Sequence, residues 1–143
     1  MEYSGGMADS STHDFDWVLA QSGCTTELLF KALLEGARKD VDRRNAVGFG
    51  RKDGWRFELH VEDDDNFEVT RIAGSSTASA FVTFERAGPR IHVAGDGVDV
   101  EMTAIVSINP SGECRYFVGE NEYLGWEIRK LALESLFFER QEE

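Results

Sequence analysis

An α+β fold, an antiparallel meander of six or seven strands with two helices before it and a long helix after it, is predicted by three observations. Apolar residues repeat at helical spacing towards both ends of the chain, the period falls to two between positions 46 and 119, and turn residues punctuate that middle region every eight to twelve positions. The final helix is expected to pack on one face of the sheet, giving one α+β domain over 13–143 behind a flexible tail at 1–12.

The tail is polar and small, with little to bury. A short helix is predicted from about Thr12 to Gly23, because Asp14 and Asp16 suit its positive end and Phe15, Val18 and Leu19 share a face. A stronger helix follows from about Thr25 to Asp42. Leu29, Leu33, Ala37 and Val41 recur every four residues with Phe30 and Leu34 beside them, and Glu27, Lys31, Glu35 and Lys39 form the wet face.

Alternation then predicts strands. Trp55, Phe57, Leu59 and Val61 alternate with Arg56, Glu58, His60 and Glu62, and a longer run from Val98 to Ile108 does the same. Further strands are expected near 66–73, 78–86, 90–94 and 113–118, with a weaker one at 47–51. A two-residue loop at Asp96-Gly97 would pair Val93 with Val100 and Ile91 with Met102. A three-residue loop at 110–112 with Gly112 left-handed would pair Ile108 with Cys114 and Val106 with Tyr116, and would leave Ile105 facing Phe117 on the outer face. The last helix is expected over Glu122–Glu139, with Leu124, Ile128, Leu131, Ala132 and Phe138 turned to the sheet. A second stripe of Trp126, Leu133 and Phe137 lies roughly opposite and is expected to form a homodimer interface.

The chain has 143 residues, 41% of them hydrophobic, enough to build a core without disulfides or a structural metal. Its 15 basic and 27 acidic residues give a net charge of −12, which disfavours binding along a nucleic-acid backbone. The basic residues Arg38, Lys39, Arg43, Arg44, Arg51, Lys52 and Arg56 cluster locally, and the acidic extreme is 58–68. No stretch is long and apolar enough to span a bilayer and no signal segment opens the chain, so a cytoplasmic address is the default expectation. Cys24 and Cys114 have no motif spacing and read as reduced thiols, Cys114 in the core.

Chemistry-bearing patterns are sparse. Cys24 precedes a helix, but position 30 is Phe where a phosphatase loop needs Arg. His60 between Glu58 and Glu62, and His92 opposite Glu101, read as cross-strand charge pairing, because no ligand trio is spaced for metal. Asp63-Asp64-Asp65-Asn66 lacks the Gly and Glu of a calcium loop, and Gly95-Asp96-Gly97 opens no helix to cradle a phosphate. No catalytic residue, metal or cofactor is therefore assigned.

The order of elements resembles, in outline, the helix-grip architecture, in which a curved sheet wraps the last helix and the gap holds an apolar ligand. The polar tail offers no counterpart to that architecture's usual first strand. The resemblance implies an alternative role, a small-molecule binder or enzyme with a cavity lined by residues such as Trp55, Phe57, Met102 and Tyr116. The favoured expectation is a non-enzymatic protein-binding module of inhibitor, immunity or secretion-chaperone type. Its partner would be a protein with a basic surface, met by Glu58, Glu62, Asp63, Asp64 and Asp65 and by the outward pair Ile105 and Phe117.

Overall fold

The computed structural model describes residues 14–48, 54–74 and 77–138. The expected tail at 1–12 lies outside them, as do positions 49–51 of the weak strand candidate; Val47 closes a helix instead. Helices α1 (Trp17–Ser22) and α2 (Thr26–Val47) lead into a meander of β1 (Arg56–Asp63), β2 (Asn66–Ala73), β3 (Thr77–Ala87), β4 (Arg90–Asp96), β5 (Glu101–Ile108), β6 (Cys114–Val118) and β7 (Asn121–Tyr123), and α3 (Gly125–Phe138) follows. Each strand pairs antiparallel with the next, in the order β1 to β7.

Both early helices start on side-chain caps. Asp16 accepts from the Leu19 N–H at 3.0 Å and Thr25 from the Leu28 N–H at 3.1 Å. Helix α2 runs past the expected end at Asp42, because its buried row Phe30, Leu33, Ala37 and Val41 continues through Arg44, whose side chain is held in the core. At the other end of the chain, Glu127 reaches back to the Leu124 N–H at 2.7 Å, which starts α3 at Gly125 and leaves 121–123 to β7.

The inner face of the sheet carries Phe57, Phe67, Val69, Val82, Phe84, Ile91, Val93, Ala104 and Tyr116, all buried. Phe67 stacks on Phe84 with centroids 4.5 Å apart, and Phe30 of α2 tilts onto Phe67 at 5.3 Å. Helix α3 packs on this face beside α2. Ile128, Ala132, Leu133, Leu136 and Phe137 form one continuous buried arc, and Arg129 binds Asp40 of α2 at 2.7 Å. The two expected stripes are therefore wrongly divided: Leu133 and Phe137 are core, while Leu124, Leu131 and Phe138 face outward.

The β5–β6 register is as expected, with Ile108 opposite Cys114, Val106 opposite Tyr116 and Ile105 opposite Phe117, and Gly112 has φ 85°. The β4–β5 register differs. Val93 faces Met102 and Ile91 faces Ala104, two positions from the expected pairing, because the turn runs on to Val100. There the Gly95 N–H bonds the Val100 carbonyl at 2.8 Å, and a Cβ on Gly95 would lie 2.7 Å from the Val98 oxygen.

The cysteines also correct the sequence reading. Cys24 and Cys114 are joined as a disulfide, with Cα atoms 5.4 Å apart across a sequence separation of 90, so neither is a reduced thiol and Cys24 is no nucleophile. The bridge ties the α1–α2 junction to the start of β6.

Candidate docking surface

The acidic residues of 58–65 gather on one edge of the sheet, since β1 is the terminal strand and the β1–β2 turn continues from it, while Glu68 lies on β2 between β1 and β3. Their roles differ. Asp63 is knitted into the turn, its Oδ1 accepting from the Asp65 N–H at 2.8 Å and from Asn66 Nδ2 at 3.2 Å. Asp65 is neutralised by Arg86, whose Nη2 lies 2.7 Å from Oδ1. Glu58 sits between Arg56 at 3.2 Å and His60 at 3.3 Å. Glu62 and Asp64 are exposed. Of the five acids expected to meet a partner, the hairpin thus presents Glu62 and Asp64 most openly.

Beside β1 runs a groove of about 340 Å³, lined by Arg38, Val41, Asp42 and Asn45 of α2 and by Phe57, Glu58, Leu59 and His60. Asn45 crosses it. Its Nδ2 donates to the Phe57 carbonyl and its Oδ1 accepts from the Phe57 N–H, each at 2.9 Å, as the backbone of a neighbouring strand would. No sequence motif marks this contact, because an Asn twelve residues before its partner is indistinguishable from a surface polar residue.

The pair Ile105 and Phe117 is where the sequence placed it, on the outer face, with Ile105 44% exposed and Phe117 half-buried. It lies on β5 and β6, so roughly 14 Å of sheet separates it from β2, and the structure does not join it to the acidic hairpin. The strongest apolar exposure was missed. Phe15, Val18 and Leu19 were expected to bury a face, yet with Trp17 they are exposed, Leu19 to 70%, and α1 buries no residue. Helix α1 is held instead by the disulfide and by the Phe15 ring lying over Gly112.

Trp126, Leu133 and Phe137 do line one groove, of about 310 Å³ between α2 and α3, with Val47 and Phe138. Leu133 and Phe137 are its buried floor, and the Phe137 ring meets Phe57 edge-on at 4.8 Å. The chain itself buries Leu133 and Phe137 of this stripe and leaves Trp126 54% exposed. Where the alternative reading expects a ligand, Ile128, Ala132 and Leu136 of α3 are buried, Phe57 and Tyr116 are core, and Trp55 and Met102 are partly buried against it.

The titratable groups bind one another more than they present chemistry. Tyr116 donates to the Leu29 carbonyl at 2.8 Å, and burial pushes its phenol up to about 12 against the smaller opposing pull of Arg129. His92 Nδ1 lies 3.1 Å from Thr103 Oγ1 and its Nε2 lies 3.9 Å from Glu101. Among the described residues no cluster of three His, Cys, Asp or Glu is placed to hold a metal, and no helix is long and apolar enough to cross a membrane. Of the basic window, Arg51 and Lys52 lie outside the described residues; among the others Arg44 is buried, Arg56 pairs with Glu58 and Arg38 with Glu35 at 3.7 Å. No protein-family model, curated protein or solved structure matches the chain.

Proposed function

We propose that the chain is a non-enzymatic module that binds a protein with a basic surface, in the manner of an inhibitor, immunity protein or secretion chaperone. The observation that carries this reading is the acidic edge, where Glu58, Glu62, Asp63 and Asp64 share the terminal strand and its turn in a chain of net charge −12. Such a field steers a basic partner and orients its approach. The small-molecule alternative has less support, since Ile128, Ala132 and Leu136 are fully buried in the core. Self-association is a lesser reading that rests on the exposed Trp126 and Phe138 at the lip of the α2–α3 groove. The expected cytoplasmic address conflicts with the Cys24–Cys114 bridge, which an oxidising compartment favours.

Native co-purification at low and high salt tests the reading, comparing the parent chain with a Glu62→Lys/Asp64→Lys variant. A basic protein that is retained at low salt, released by salt and lost from the variant is the expected result. Recovery of the parent chain alone at every salt concentration would overturn it.

A further inference from the structure

We propose that the outer edge of β1 receives an extended basic segment of the partner as an additional strand, an inference that rests on the acidic-edge reading above. The Phe57 N–H and C=O point away from β2, since Asn45 holds both. Strand alternation turns the N–H and C=O of Leu59 and Val61 the same way, and β2 is the strand neighbour of β1 in the sheet. Two residues with one donor and one acceptor each offer about four backbone hydrogen bonds to an incoming strand. The groove alongside supplies the space, and Asn45, acting as a strand mimic, stops the incoming chain short of Phe57.

The side chains choose the occupant. Glu58 and Glu62 project on the outer side of the edge with Asp63 and Asp64 just beyond, while Leu59, the 46% exposed Val61 and Val41 of α2 are apolar. A strand alternating Lys or Arg with Val or Leu sets its cations against the acids and its apolar residues against Leu59 and Val61. A second copy of β1 fits less well. Antiparallel pairing centred on Leu59 would match Arg56 with Glu62 and Glu58 with His60, but it needs the Phe57 backbone groups that Asn45 occupies. The register that leaves Asn45 in place sets Glu58 against Glu62, two like charges.

The test is an NMR titration of the full chain with two peptides of equal composition, acetyl-Lys-Val-Lys-Val-Lys-Val-amide and acetyl-Lys-Lys-Lys-Val-Val-Val-amide. The alternating peptide is expected to bind at least about tenfold more tightly and to slow amide exchange at Leu59 and Val61. Val61→Pro, which removes one edge N–H where an edge strand tolerates proline, is expected to cost at least about tenfold in affinity. The exchange readout needs no variant, so it decides even if Val61→Pro misfolds. Equal binding of the two peptides without protection at Leu59 and Val61 overturns strand addition while leaving the acidic attraction standing. Binding of neither peptide also overturns it, and the co-purification then judges the acidic edge separately. A dimer of the parent chain that Val61→Pro dissociates would assign the edge to a second copy and overturn the proposal.

Discussion

Arg44 Nε donates to the main-chain carbonyl of Phe137 at 2.9 Å, so a guanidinium from the last turns of α2 closes the end of α3. Arg71 of β2 does the same for Leu136 through Nη1 at 3.1 Å. Two cations therefore sit on the carbonyls of a helix terminus, where the helix dipole is negative. Aromatic faces shield both: Arg44 lies over Phe57 at 4.8 Å and Phe138 at 5.2 Å, and Arg71 over Trp55 at 4.0 Å.

Arg44→Ala is expected to destabilise the chain by about 3 kcal/mol, since it empties a buried volume and removes the charged donor to Phe137. Arg44→Lys should recover only part of this, because an ammonium cannot reproduce the planar stacking. Urea unfolding of the three proteins measures it; a loss under 1 kcal/mol for Arg44→Ala would contradict the assigned role.

Cys24→Ser/Cys114→Ser is expected to cost up to about 4.6 kcal/mol, the ceiling that loop closure gives for a separation of 90 residues. Helix α1 buries nothing, so its amides should lose exchange protection first. Adding a reductant to the parent chain should reproduce both effects, and unchanged stability would show that the tether is dispensable.

Gly112→Val is expected to cost about 2 kcal/mol or more. A β-branched residue resists φ 85°, and its Cβ would collide with the Phe15 ring. Thermal unfolding checks this, and an unchanged midpoint would mean that the loop adopts another conformation.

Tyr116 sets an alkaline limit. Its phenol titrates near 12 in the folded chain against 10.0 for the ordinary group, so the neutral form is favoured by folding. That contribution, about 2–3 kcal/mol, is complete below pH 10 and is lost as pH rises towards 12. Tyr116→Phe should flatten the stability profile over this window, and a profile as steep as the parent's would place the cause elsewhere.

Asn45→Ala is expected to leave the Phe57 backbone groups to water and to lengthen the open edge. Stability should fall by about 1 kcal/mol. The register that matches Arg56 with Glu62 then becomes available to two copies, so sedimentation should show concentration-dependent dimers absent from the parent chain.

Much of this architecture is legible in the sequence because period and turn chemistry report which face a residue occupies. The three-residue loop at 110–112 could be derived since a two-residue loop there turns Glu113 and Arg115 into the core. The β4–β5 register could not, because a slip of two positions keeps every apolar residue inward. Arg44 and Asn45 look like the polar end of a helix until Phe137 and Phe57 are brought to them. The bridge and the arc of α3 were hidden for a related reason: both depend on partners distant along the chain. The acidic residues of the candidate edge were visible as composition, but which of them remain exposed was settled by Arg86, Arg56 and the turn.

The Arg44–Phe137 bond spans 93 residues, and this has a consequence for how the chain is born. Helix α2 emerges from the ribosome with Phe30, Leu33, Ala37 and Val41 uncovered, while the helix that completes its burial follows only after all seven strands. The meander between them can form hairpin by hairpin from neighbouring segments, but α2 must wait. Nascent chains arrested before α3 should therefore be protease-sensitive in α2 and prone to capture by chaperones, and extension past α3 should bring protection of both helices in a single step.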